Sequence, residues 1–130
     1  MALTINAQVQ VQQWDEHEYM EGTNIHKQSQ ADIKQRYSGD LEGSSELRYL
    51  MSYPDETQAK FVGFEHVSGD WQGKPFGLVL EHHGEFKNGV ASSQFEVLSA
   101  SGAFAHHLGH GRFAAGKGGS FSFELELEER

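Results

Sequence analysis

At 130 residues the chain is long enough for one domain, residues 1–130, with a sizeable core, and no linker or composition shift divides it. Nineteen acidic against ten basic residues give a net charge of −9, which argues against a partner that presents phosphates, whether nucleic acid or an anionic membrane. The absence of cysteine excludes disulfides, thiolate metal sites and cysteine nucleophiles, while fifteen glycines against two prolines point to β structure with many tight turns.

The opening "MALTINAQVQ" has neither a basic region nor an apolar run, so it does not read as a signal peptide, and no stretch approaches the length of a membrane span. The expectation is a cytoplasmic chain. From Leu3 the pattern alternates with period two. Leu3, Ile5, Ala7, Val9 and Val11 share one face, and Thr4, Asn6, Gln8, Gln10 and Gln12 the other. That is a half-buried strand. Alternating runs follow over Ile25–Leu41, Glu46–Tyr53, Ala59–Gly69, Phe76–Phe86, Val90–Leu98 and Gly109–Ala114. The last segment alternates Phe121, Phe123, Leu125 and Leu127 with Ser122, Glu124 and Glu126. No stretch sustains a 3.6 period with caps, so the count is eight strands and no helix.

The punctuation is specific. "YPDET" carries a Pro-Asp turn, "KNGV" an Asn-Gly hairpin turn, and "AAGKGG" a glycine-rich turn. Two near-identical motifs, "SGDLEG" at Ser38–Gly43 and "SGDWQG" at Ser68–Gly73, close the second and fourth strands. In an up-and-down meander they fall at one end of the sheet. A calcium loop would need six to eight oxygens, and these motifs offer two carboxylates and one. Eight long antiparallel strands close most economically into a barrel, which removes both edges. The expected fold is therefore all-β: a closed eight-stranded antiparallel meander barrel. At eight strands the interior is packed with side chains or holds one small ligand.

Turn chemistry sets register. With Asn88-Gly89 as the loop, Phe86 faces Ala91, His82 faces Phe95 and Leu80 faces Val97. With Gly73-Lys74 at the next tip, Phe76 faces Trp71, Leu80 faces Val67 and His82 faces Glu65. A three-residue "PDE" loop sets Tyr49 against Gly63 and Met51 against Phe61. One apolar face runs through Leu47, Tyr49, Met51, Phe61, Val67, Phe76, Leu78, Leu80, Phe95 and Val97, with Glu65 and His82 as a polar pair upon it. Such a pair is either a structural ion pair or a proton-transfer and ligand-anchoring pair. Tyr49 and Tyr53 add hydroxyls to the same space. On the outer face Leu50, Val62, Phe64 and Val79 form a candidate homo-oligomer interface.

The remaining histidines do not spell a metal site. His82 and His83 point to opposite faces of a strand, and Gly109 and Gly111 argue against the helical turn that would bring His106 and His110 together. The reading for His106, His107 and His110 is exposed loop residues, with no metal and no cofactor. There is no nucleophile elbow, phosphate loop or dinucleotide fingerprint.

Four blocks, "SGDLEG", "FVGFEHVSG", "FGLVLEHHGEF" and "SGAFAHHLGHGRF", in this order and spacing, resemble the bacterial family called domain of unknown function 3224. The resemblance covers nearly the whole chain and implies a barrel like that of allene oxide cyclase, a calycin-like architecture. "SGAFAHHLGHG" is also similar to the Thr-Gly-x-Phe…Gly pattern of allene oxide cyclases and dirigent proteins. Ser101 stands in the threonine's place, while Gly102, Phe104 and Gly109 match. In those relatives the interior binds an apolar small molecule and steers its cyclisation or coupling. No catalytic residue carries over, because no motif outside this block maps one.

Three functions follow. The first is a binding module for a small, largely apolar molecule, lined by Tyr49, Phe61, Glu65, His82 and Phe95. The second is an isomerase or cyclase using Glu65 and His82 for proton transfer. The third is a packed barrel with a structural or protein-interaction role.

Overall fold

The computed structural model describes residues 2–20, 27–115 and 120–129. Eight strands follow in order: β1 Ala2–Met20, β2 Gln28–Gly39, β3 Glu42–Asp55, β4 Gln58–Trp71, β5 Lys74–Lys87, β6 Val90–Gly102, β7 His107–Ala115 and β8 Ser120–Glu129. Each pairs antiparallel with its sequence neighbours, and β8 pairs with β1, so the strands close into a barrel. No helix among the described residues is long and apolar enough to cross a membrane. The ring is staggered. A row of inward side chains that leaves β1 at Glu18 passes Ser29, Met51, Phe61, Gly84, Ser93, Phe113 and Phe123 and returns to β1 at Ala7. Such stagger is what tilts the strands of a closed sheet.

The alternation places the core as expected. All ten residues of the apolar face read from the sequence are buried, from Leu47 to Val97. The strands differ from expectation where a bulge or a turn breaks the alternation. The register of β1 against β2 slips between Val11 and Gln13, which turns Trp14 and Glu16 inward. Period two restarts on the other parity there, so the strand runs to Met20 rather than stopping near Gln12. The expected strand Ile25–Leu41 starts at Gln28 among the described residues, and Ile25 and His26 lie outside them, as does most of "AAGKGG". Leu41 is not in a strand; it folds under the ring and is fully buried.

Two turns also differ. β3 continues through Pro54 to Asp55, and the reversal is at Glu56-Thr57, where Asp55 Oδ1 accepts hydrogen bonds from the Thr57 amide (2.7 Å) and hydroxyl (2.8 Å). The shift between Ser52 and Asp55 absorbs the difference, so Tyr49–Gly63 and Met51–Phe61 still face one another. The tip of the β4–β5 hairpin is Gln72-Gly73, not Gly73-Lys74. Both residues have positive φ (51° and 80°), matching Asn88-Gly89 (55° and 80°) in the β5–β6 hairpin. Phe76 therefore faces Gly69, Leu80 faces Glu65 and His82 faces Gly63. The slip is two residues, so every side chain keeps its face. "SGDWQG" is thus mostly strand, and its Gly69 and Asp70 pair with Gly43 and Glu42 of "SGDLEG". The motifs lie side by side at one end of the ring.

That end is closed. Phe104, in the turn between β6 and β7, is fully buried, with Trp71 at 5.1 Å and Phe76 at 5.2 Å between ring centres. A buried phenylalanine contributes roughly 1.5–3 kcal/mol. Toward the opposite end small inward residues, Ser29, Ala31, Ala59, Gly84, Ala91 and Ala115, are interleaved with the larger Met51, Phe61, Phe86 and Phe113.

Candidate functional site

Glu65 on β4 and His82 on β5 lie at the middle of this interior, each 1% exposed. They are diagonal neighbours rather than directly opposed. Gly63 fills the position opposite both His82 and Tyr49, and its missing side chain leaves room for both rings. A Cβ there would meet Tyr49 Cδ1 at 2.8 Å. His82 Nε2 reaches Glu65 Oε1 at 2.7 Å. Tyr49 lies edge-on to His82 at 5.6 Å and packs on Phe61 at 4.5 Å, and Phe95 lies 5.0 Å from His82. Phe61 packs over Gly84, and Phe95 over Gly111, in the same manner. All five ligand-lining residues expected from the sequence therefore form one contact cluster.

Two polar residues that carry no signal in the sequence extend the pair. Tyr37 donates from its hydroxyl to Glu65 Oε2 at 2.5 Å, and Ser93 Oγ lies 2.9 Å from His82 Nδ1. Ser93 Oγ also lies 3.2 Å from the carbonyl of Gln94 and 3.4 Å from that of His83. Tyr37, Glu65, His82 and Ser93 thus form one hydrogen-bonded line through the interior. Burial, and then the negative Glu65, push the Tyr37 phenol well above its ordinary value, so it remains a donor. The same two causes, in the same order, raise Tyr49. Tyr37 and Ser93 escaped notice because each sits in a run that reads as ordinary alternation. Ser93 stands diagonally across the β5–β6 ladder from His82, whereas Tyr37 reaches Glu65 from two strands away, over β3.

Tyr53 does not join this line, contrary to expectation. It lies toward the end opposite Phe104 and donates to Glu16 Oε2 at 2.6 Å. Ser29 donates to the same oxygen at 2.6 Å, Trp14 Nε1 donates to Oε1 at 3.0 Å, and Lys27 Nζ stands 3.7 Å away. The bulge in β1 is what delivers Glu16 to these donors. Burial alone would raise its carboxyl, but the hydrogen bonds from Ser29, Tyr53 and Trp14 together with the Lys27 charge hold it below the usual range. A carboxyl lowered in the folded state contributes stability above its unfolded value, lost as pH falls through the folded value. Glu16→Gln is expected to lose on the order of 1 kcal/mol at pH 7, since the site is partly open to solvent, and to match the parent near pH 3. Urea melts at the two pH values measure this; an equal deficit at both rules the linkage out.

The other histidines are dispersed. His83 points outward to Glu81 at 2.8 Å. His107 and His110 are not loop residues but belong to β7, where His107 is partly buried and His110 lies 3.7 Å from Glu126. The glycines at 109 and 111 serve close packing in that strand rather than a loop. Among the described residues no three His, Asp or Glu side chains are grouped to hold a metal.

Against known proteins, the chain covers 100% of its length on 99% of a protein with unknown function from the DUF3224 family of Shewanella oneidensis MR-1, at 19% identity and a TM-score of 0.82. It also matches a structure named pyocyanin demethylase over 97% of this chain and all of that one, at 12% identity and a TM-score of 0.68. At these identities the likeness shows the fold. No curated protein matches in sequence. The family described as "Protein of unknown function (DUF3224)" matches residues 5–127, and the chain belongs to that family.

Proposed function

We propose that the chain binds one small, largely apolar molecule inside the ring, toward the end opposite Phe104. The observation that carries this reading is a hydrogen-bonded polar pair set in an otherwise apolar interior. Phe104, Trp71 and Phe76 close one end, and beyond them Glu65 and His82 stand against Tyr49, Phe61 and Phe95. A binding site of this kind has an apolar wall and a few fixed polar groups. Tyr49, Phe61 and Phe95 supply the wall, and Glu65 with His82 the polar anchor. On this reading the interior is used as in allene-oxide-cyclase-like barrels. Native mass spectrometry of protein purified from its own host tests it, with a co-purified small molecule expected. Uniformly ligand-free protein, together with no uptake from a panel of small aromatic compounds, rules it out and leaves the packed, structural role.

A second reading is catalysis by proton transfer at the same pair. It is favoured by the unbroken hydrogen-bonded line from Tyr37 to Ser93, and by a shared fold with a protein whose name denotes a demethylase. Glu65→Gln separates the two: binding retained with turnover lost is the enzyme's signature.

The cytoplasm is the proposed location and a homo-oligomer the proposed assembly. Leu50, Val62 and Phe64 are about half exposed on the outer face of β3 and β4, with Leu50 directly opposite Val62, while Val79 is partly covered. The Arg48–Asp32 pair flanks them at 2.6 Å, so the patch carries both charge signs and suits a second copy of itself. Phe64→Glu is expected to reduce the mass seen in light scattering to that of the monomer. An unchanged mass, or a monomeric parent, refutes the proposed interface.

A further inference from the structure

The geometry points to Ser93 as the port through which His82 exchanges a proton with the bound molecule; this deepens the catalytic reading and rests on a ligand occupying the interior. Both ring nitrogens of His82 are engaged, Nε2 by Glu65 at 2.7 Å and Nδ1 by Ser93 at 2.9 Å. A ligand therefore has no direct path to either nitrogen. Glu65 is likewise occupied, with Oε1 on His82 and Oε2 on Tyr37. Of the two groups hydrogen-bonded to His82, Ser93 is the one whose proton has a choice of acceptor. Its one hydroxyl proton goes either to Nδ1 or to a backbone carbonyl, at 3.2 Å on Gln94 or 3.4 Å on His83.

That choice keeps the line satisfied in two protonation states. With a neutral imidazole, Nε2–H donates to Glu65 and Ser93 donates to Nδ1. With an imidazolium, Nδ1–H donates to Ser93, and the serine hydroxyl turns to the Gln94 carbonyl. Neither state leaves a buried polar atom without a partner. A purely structural ion pair needs to satisfy only one, since a stranded buried group is the expensive outcome. Ser93 also sits on the side of His82 away from Phe104, opposite Gly84 on β5 and the partly buried Phe113 on β7. Phe113 is 5.8 Å from His82 and is the ring that must yield to a ligand.

The ligand class follows: a small aromatic or otherwise apolar body bearing one weakly acidic O–H. The transfer balances. The ligand's O–H breaks as its proton passes to Ser93 Oγ, while the proton already on Ser93 passes to Nδ1. The ligand is left as an anion beside an imidazolium whose far side faces the Glu65 carboxylate. No electrons are exchanged, and the reverse steps return the proton.

Two measurements test this. In ¹⁵N-histidine-labelled protein without ligand, NMR is expected to show Nε2 protonated and Nδ1 bare, with the Nδ1 resonance displaced in Ser93→Ala and restored in Ser93→Thr. A protonated Nδ1, or one indifferent to Ser93→Ala, overturns the proposal whatever binds. In the second, p-nitrophenol is added at a fixed pH and its ionised absorbance is read. The wild type is expected to hold the bound phenol as phenolate, and Ser93→Ala to bind it with at least a tenfold smaller ionised fraction. Equal ionisation in both overturns the port. Absence of binding by both removes the interior ligand reading, and the NMR result still decides whether Ser93 governs Nδ1.

Discussion

Glu65→Ala is expected to remove about 3–5 kcal/mol of stability, because it strands the imidazole of His82 and the phenol of Tyr37 in the dry interior. A domain of this size has roughly 5–15 kcal/mol in total, so the loss is about a fifth or more and lowers the melting midpoint by on the order of 10 °C. The reverse experiment carries the functional meaning. A triple variant, Tyr37→Phe, Glu65→Leu and His82→Phe, removes every partner at once and leaves Ser93 its backbone carbonyls. Replacing a complete buried ionic group with apolar residues is often neutral. The triple variant is therefore expected to be more stable than Glu65→Ala alone. Urea denaturation of the parent, the three single variants and the triple variant measures the coupling. If the triple variant falls as far as the sum of the singles, the line is there for stability, and the catalytic reading loses its physical basis.

Much of this arrangement was legible in the sequence, and the reasons differ by residue. The inward face of β3 to β6 followed from period-two alternation, which depends on the pleat and not on tertiary context. The hairpin at Asn88-Gly89 was also readable, because Asn-Gly names its turn. The Gln72-Gly73 tip was not, because glutamine rarely takes positive φ and gives no such signal. The misplaced tip moved the register by two, so Glu65 remained on the right face although not opposite His82. A slip of one would have turned it outward. Glu16 was beyond reach for that reason: a single extra residue near Gln12 reverses the parity of β1, and nothing in "QVQVQQWDEHEYM" marks the bulge. Tyr37 reaches Glu65 from two strands away, which a hairpin-by-hairpin reading does not describe; Ser93 is the diagonal neighbour of His82 across β5 and β6, and a lone serine in an alternating run carries no signal of that contact.

The glycine that seats the pair is expected to be as sensitive as the pair itself. Gly63→Ala places a Cβ against the backbone carbonyl oxygen of Arg48 and 2.8 Å from Tyr49 Cδ1. The carbonyl belongs to the β3–β4 ladder and cannot move without breaking it, and the Tyr49 ring is held between Phe61 and His82. Overpacking a fixed site commonly costs about 1–3 kcal/mol, and a backbone contact of this kind belongs at or above the upper end. Gly73→Ala is the matched control. Its φ is +80°, but no atom lies within 4 Å of the added Cβ, so only backbone strain of about 1 kcal/mol opposes it. Urea melts of the two variants are expected to order Gly63→Ala below Gly73→Ala by about 2 kcal/mol. The reverse order would mean that turn geometry matters more than close packing here. The same melts can be paired with the ¹⁵N spectrum of His82. Displacing Tyr49 shifts the imidazole it packs against, so Gly63→Ala should perturb both ring nitrogens while Gly73→Ala leaves them unchanged. A site held this way owes its geometry to an absent side chain: the position opposite His82 must stay empty for Glu65 to be reached from the next strand.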